Sequence, residues 1–116
     1  MKISEIAKIL DAQILVSNSN LDLDIQIKYG FASDLMSDVL TLDEEEVVLI
    51  TGLCNIQTIR TAEMANIRCL LFVRNKQASE EMIELALEND MIVLQCSYSL
   101  FRTVGILYEN GLCPVY

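Results

Sequence analysis

Residues 47–73 of the chain read VVLITGLCNIQTIRTAEMANIRCLLFV. Val47-Val48-Leu49-Ile50 is apolar without alternation, the pattern of a strand covered on both faces. Thr51-Gly52-Leu53-Cys54-Asn55 then places a glycine and a capping residue in a tight strand-to-helix turn. From Ile56 to Asn66, the residues Ile56, Ile59 and Ala62 fall on one helical face, with Met64 beside them. Cys69-Leu70-Leu71-Phe72-Val73 is a second all-apolar strand. Two buried strands joined through a helix pair in parallel, because a parallel neighbour can be reached only by such a crossover.

The same alternation continues toward the C-terminus. Arg74 to Gln77 reads as a loop, and Ser79 opens a helix carrying Met82, Ile83, Leu85, Ala86 and Leu87. That helix closes near Asn89-Asp90, and Met91 to Leu94 is a third buried strand. Ser99 caps a last helix through Tyr108, which Asn110-Gly111 ends. The second half therefore reads β-α-β-α-β-α. It predicts an α/β fold, a single compact domain over residues 1–116 with a mostly parallel sheet flanked by helices.

Toward the N-terminus, Ile3, Ile6, Ala7 and Leu10 are spaced for one helical face, and Gln13 to Val16 reads as a short strand. Ser17 to Asn20 is a polar turn. Leu21, Leu23, Ile25 and Ile27 alternate with Asp22, Asp24, Gln26 and Lys28, which predicts a strand over these residues, punctuated by Gly30. Ser33 or Asp34 is expected to cap a short helix through about Leu40, and Thr41 to Glu46 forms an acidic loop.

Composition narrows the function classes. The chain has 116 residues, of which 53% are hydrophobic, so it can bury a core and lacks the low hydrophobicity of a disordered segment. Its 17 acidic and 8 basic side chains give a formal charge of −9, which repels phosphate backbones and anionic bilayers. The basic residues are dispersed in sequence, so no nucleic acid and no membrane surface is expected as a partner. No signal peptide is read at the start, and no segment approaches the ~20 apolar residues of a membrane span. A cytoplasmic protein is expected. Cys54, Cys69, Cys96 and Cys113 form no C-x-x-C pair and histidine is absent. They are read as free thiols, Cys69 in the core and Cys113 the most exposed, with no metal and no cofactor implied.

The residues that carry a resemblance are Gly30-Phe31-Ala32-Ser33-Asp34-Leu35-Met36-Ser37-Asp38-Val39, followed by Ile50-Thr51-Gly52 and a helix–strand pair. With the N-terminal helix, the Leu21-Asp22 segment and the helices opening at Ser79 and Ser99, this order resembles a stand-alone DRTGG domain over nearly the whole chain. The G-[YF]-x-S-D-L-x-S-D-V block is its most specific part. The naming motif departs from the family pattern. Leu53-Cys54-Asn55 stands where an Asp-Arg pair is expected, and Val73-Arg74-Asn75 where Thr-Gly-Gly is expected. The resemblance implies an α/β fold similar to the N-terminal domain of HPr kinase/phosphorylase, and a regulatory or dimer-forming role. It does not extend to kinase chemistry, because no G-x-x-x-x-G-K-[ST] phosphate loop is present.

The candidate ligand-binding residues are Gly30, Ser33, Asp34, Ser37, Asp38, Thr51, Gly52 and Asn55. Two turns at the carboxyl ends of strands can converge, where open α/β sheets place ligands. Amides near Ser33 and Asn55 would receive an anion, with hydroxyls from Thr51 and Ser37. Asp34 and Asp38, four apart, would share a helix face and either hold Mg²⁺ or face water. The alternative is that Ser33 and Asn55 are ordinary caps and Gly30 relieves a turn. No catalytic residue is assigned: no base partner accompanies the aspartates, and no histidine can activate a thiol. The reading is a non-enzymatic regulatory or ligand-sensing module. It is expected as a homodimer, with Arg60, Arg102 and Tyr108 either on the surface or at the contact and Met36, Met64 and Phe101 as its apolar contributors, and as binding a nucleotide or phosphorylated metabolite. The alternative is a structural protein that docks onto a larger enzyme complex.

Overall fold

A computed structural model describes residues 1–116. The helices are α1 (Ile3–Ile9), α2 (Met36–Val39), α3 (Ile56–Met64), α4 (Glu80–Glu88) and α5 (Leu100–Glu109). The strands are β1 (Gln13–Val16), β2 (Tyr29–Ala32), β3 (Val47–Thr51), β4 (Cys69–Phe72), β5 (Ile92–Gln95) and β6 (Cys113–Pro114). They form one six-stranded sheet in the order β1-β5-β4-β3-β2-β6. Only β1 runs antiparallel to its neighbour, so the expected mostly parallel α/β fold is the observed one.

The unbroken apolar runs follow from the layering. Along each central strand, alternate side chains enter two separate cores. Val48, Ile50, Leu71, Ile92 and Leu94 pack with Ile3 and Ile6 of α1, Leu10 at its C-cap and Leu107 of α5. Val47, Leu49, Leu70, Phe72 and Val93 pack with Val39 of α2, Ile59 and Ala62 of α3, and Met82 and Ala86 of α4. Three consecutive crossovers therefore cover one face, and α5 returns across the other to reach β6 beyond β2.

Local signals set the helix ends. Asn55, Ser79 and Ser99 each accept a hydrogen bond from an amide three residues on, at 2.9, 3.2 and 3.1 Å, as the capping chemistry predicts. At the other ends, Asp11, Asn66 and Asp90 take left-handed φ of 49°, 58° and 54°, and Gly111 takes 97°. The next residue's N–H then returns to the last turn of its helix in each case, from Ala12 to Ala7, Ile67 to Ala62, Met91 to Ala86 and Leu112 to Leu107.

The strand predicted over Leu21 to Lys28 is not formed. Asn20–Asp24 is a 3₁₀ turn, and β2 begins only at Tyr29. The Ser19 hydroxyl accepts from the Leu21 amide at 3.0 Å, which tightens the chain before any ladder can start. Within the 3₁₀ turn Asp22 is the buried residue, while Leu21 is 77% exposed. The Asp22 carboxylate accepts from the Asn18 amide and from the Arg68 guanidinium, at 2.9 and 3.3 Å. The alternation was that of a turn anchored by its acid. Gly30 likewise does not end a strand but sits inside β2. A Cβ there would lie 2.9 Å from Leu112 Cδ2, so the glycine admits the close approach of that buried side chain. The tail supplies a strand that sequence did not suggest: Cys113 and Pro114 pair with Tyr29 and Gly30.

Candidate functional site

The parallel strands β2 to β5 end along one edge of the sheet, so the four turns that follow them line up side by side. In the β2–α2 turn, Asp34 does not cap α2. The N-cap is Leu35, which has no side-chain cap, and Ser33 Oγ accepts from the Leu35 amide at 3.0 Å. Asp34 instead turns to the neighbouring strand. Its Oδ1 accepts from the Thr51 hydroxyl at 2.7 Å and from the Gly52 amide at 2.9 Å. A carboxylate accepting two donors makes stronger bonds than a neutral acceptor would. This clamp joins the ends of β2 and β3 across 17 residues of sequence.

The clamp continues into the helix. Thr51 Oγ1 accepts from the Leu53 amide at 3.0 Å, and the Thr58 hydroxyl donates to the Leu53 carbonyl at 2.6 Å. Asn55 Oδ1 accepts from the Thr58 amide. Thr51 and Thr58 are fully buried, and no buried side-chain polar atom lacks a partner. Of the eight predicted residues, Asp34, Thr51 and Gly52 are thus brought together, with Asn55 one turn further on. Ser33 is locally engaged. Ser37 and Asp38 are exposed on α2. Asp34 precedes the helix rather than belonging to it, so the expected shared face of Asp34 and Asp38 is not formed. Gly30 lies inside β2 and lines a small apolar cavity of about 90 Å³ with Ile50, Leu107, Leu112 and Pro114.

No three potential metal ligands converge. Cys54, in the β3–α3 turn, is half-buried, and burial pushes its thiol upward while the Lys76 ammonium pulls the other way. A thiol shifted upward is a poor nucleophile near neutral pH. A cleft of about 970 Å³ opens at the opposite end of the strands. Lys28, Met64 and Arg68 line it with the acidic loop from Asp43 to Glu46.

Next along the edge come the Arg74–Gln77 loop and the segment between β5 and α5, neither of which the sequence marks as a candidate site. Arg74 and Asn75 both take left-handed φ, 59° and 56°. Their amides donate to the Tyr98 and Cys96 carbonyls, each at 2.8 Å, and Gln95 Nε2 donates to Asn75 Oδ1 at 2.8 Å. The Arg102 guanidinium lies 3.8 Å from the Tyr98 ring centre. The available signal was positional: Arg74-Asn75 occupies the place where the resemblance expects two glycines, the residues that adopt positive φ without strain.

No curated protein matches the chain by sequence. Its fold is similar to a crystal structure of the CBS and DRTGG domains of the regulatory region of Clostridium perfringens pyrophosphatase, complexed with its activator, diadenosine tetraphosphate. The similarity has a TM-score of 0.77 at 16% identity, over 98% of this chain and 48% of that one. The chain thus spans about half the length of that relative. The DRTGG domain family model matches residues 5–109, nearly the whole length. With a sheet, helix order and edge clamp arranged as described, this chain belongs to the DRTGG domain family.

Proposed function

We propose that this protein is a non-enzymatic regulatory domain that senses a nucleotide or phosphorylated metabolite. The carrying observation is the Asp34–Thr51–Gly52 clamp at the carboxyl edge of the parallel strands. One oxygen of Asp34 is engaged, and the exposed carboxylate has acceptor capacity left for a hydroxyl or amino group of a ligand. A ligand drawing on that acceptor would tighten the contact between two strand ends, and so change the stiffness of the edge. Thr51, Gly52, Ser33 and Asn55 frame the site, with Ser37, Asp38 and Gly30 on the flanking elements. The regulatory region of the structural relative, with its bound nucleotide activator, supports the same reading. The lack of histidine and the upward-shifted Cys54 thiol support a binding role over acyl or thiol chemistry.

A thermal-shift titration with ATP, AMP and Mg²⁺ tests the reading. At a hundredfold excess over Kd, a ligand selective for the folded state adds about 2.7 kcal/mol. For a domain of this size that raises Tm by roughly 10 °C. Asp34→Ala is expected to lower intrinsic stability by about 1–2 kcal/mol, since it removes two charge-assisted bonds and leaves the buried Thr51 hydroxyl without its acceptor. It is also expected to weaken the nucleotide response. An Asp34→Ala protein that is stabilised as much as the parent would contradict this assignment.

The functional unit in this reading is a homodimer. Phe101 and Tyr108 project from α5, 91% and 67% exposed, two turns apart on one helix face. Apolar groups at that spacing support an interaction surface. Light scattering is expected to give twice the 13.1 kDa chain mass for the parent and the single chain mass for Phe101→Glu. A monomeric parent would favour instead a protein that docks onto a larger enzyme.

A further inference from the structure

We propose that the phosphate of an anionic ligand is received at the β4–β5 end of this edge, by Arg74, Lys76 and Arg102. The inference rests on the ligand-sensing reading above and deepens it. Its first support is topology. In an open α/β sheet the crevice for a ligand forms outside two adjacent parallel strands whose following helices diverge to opposite faces. After β2, β3 and β4 the chain goes to the face carrying α2, α3 and α4, whereas after β5 it goes to the face carrying α5. The divergence therefore falls between β4 and β5, which are hydrogen-bonded neighbours. It does not fall between β2 and β3, where Asp34 and Thr51 lie.

The second support is charge. The chain carries 17 acidic against 8 basic side chains, yet at this divergence the turn after β4 holds Arg74 and Lys76, and the first turn of α5 holds Arg102. The ion pairs of the protein are Lys2–Asp24 and Arg68–Asp22, so these three cations have no carboxylate within 4.0 Å. Glu80 and Glu81, which open α4, approach none of them that closely. All three side chains are exposed.

The third support is preorganisation. The Arg102 guanidinium is stacked on Tyr98, and the Tyr98 carbonyl is held by the Arg74 amide, so the two turns are fastened to each other. Stacking restricts a guanidinium while leaving its N–H edge open to a planar or tetrahedral oxyanion. The left-handed backbone at Arg74 and Asn75, costly for residues with a Cβ, is maintained by the bonds to Tyr98, Cys96 and Gln95. Asp34 stands two strands away, roughly 10 Å at ordinary strand spacing. A nucleotide reaching that far along the edge would meet cations at one end and an acceptor at the other.

Two probes separate this inference from the reading it deepens. Inorganic pyrophosphate carries the charge without a nucleoside, and ATP carries both. Amide chemical shifts of the full chain, titrated with each, are expected to move at residues 74–79 and 96–103, with affinity falling as KCl is raised. The variants are R74G/K76Q, in which glycine accepts the existing φ without strain, and separately R102Q, which leaves the Arg74 turn intact. Each is expected to weaken pyrophosphate at least tenfold, while Lys8→Gln, which removes an exposed cation of α1 away from this edge, leaves pyrophosphate binding unchanged. Pyrophosphate binding as tightly as ATP would identify the phosphate alone as the recognised group. Tighter ATP binding, with the excess lost in Asp34→Ala, would identify a nucleotide. Shifts confined to residues 33–38 and 51–55, or full affinity in both variants, would overturn this inference and leave the sensing reading standing. No shift with either probe would overturn both.

Discussion

Phe72→Ala is expected to remove about 3–5 kcal/mol of stability, the range for truncating a buried aromatic side chain. Domains of this kind are stable by only about 5–15 kcal/mol in total, so the variant should sit close to its unfolding threshold. Phe72 is fully buried in the core beneath α2, α3 and α4, among Leu49, Leu70 and Ala86. Its strand is β4, which is paired on both sides, with Thr51 and Gln95 as the neighbours of Phe72 in register. A strand hydrogen-bonded along both edges cannot slide inward to close the space left by the ring, so little of the cavity cost is relieved. Urea unfolding followed by circular dichroism reads the effect as a fall in midpoint at an unchanged slope. A loss below about 1 kcal/mol would mean that the strand relaxes far more than this pairing allows. Phe101→Ala, on the exposed outer face of α5, serves as the control with little expected change in the monomer's stability.

The second large effect is alkaline. Cys69 is fully buried at the start of β4, and burial pushes its thiol up from 9.0 to about 12. Below pH 9 the thiol is protonated in both folded and unfolded chains and contributes no pH dependence. Between pH 9 and about 12 the unfolded chain loses this proton and the folded chain keeps it. The unfolded state then binds fewer protons, and stability falls by about 1.4 kcal/mol per pH unit, to a total of about 4 kcal/mol. The stabilisation is thus fully present below the unfolded value and is lost as pH rises through the folded one. Tyrosines and lysines also titrate in this range, so the measurement is a difference. Urea midpoints of the parent and of Cys69→Ala, taken at pH 8.0, 9.5 and 10.5, should converge by about 2 kcal/mol over the series. Parallel profiles would show that the thiolate is accommodated where the fold leaves no solvent for it.

The elements most legible in sequence are those whose signal is short-ranged. The runs Val47 to Ile50, Cys69 to Phe72 and Ile92 to Leu94 were readable because a strand covered on both faces shows an unbroken apolar run. Asn55, Ser79 and Ser99 were readable because a cap acts on an amide three residues away. The alternation from Leu21 to Lys28 misled, because a 3₁₀ turn held by Ser19 and anchored by Asp22 shows the same spacing over so few residues. What distinguishes them is the partner of Asp22, which is Arg68, 46 residues further along.

The candidate site divides in the same way. Asn55 and Ser33 act within their own turns and were visible as polar residues at strand ends. The role of Asp34 was misjudged because the nearest free amides belong to α2, whereas its actual donors are on β3. In sequence Arg74 reads only as part of a loop and Arg102, in the first turn of α5, only as a surface or dimer residue, because the basic residues are scattered. Only the parallel pairing of β4 with β5 sets those two turns side by side.

By itself the sequence determined the class of the fold, the helices and the capped starts of α3, α4 and α5, the two-sided burial of the central strands and the family. These follow from periodicity and capping, interactions that operate over three or four residues and are written directly in the residue order. The tertiary structure alone decided the strand order, the return of α5 across the opposite face, the pairing of the C-terminal residues with β2, and which turns share the carboxyl edge of the strands. Those depend on contacts between residues tens of positions apart, and on the side of the sheet to which each crossover is drawn by the core it fills. The same apolar stripe on α5 would satisfy either face; burial of Leu107 and Leu112 against Ile50 and the Gly30 backbone places it on the face opposite α4, and with it the divergence between β4 and β5.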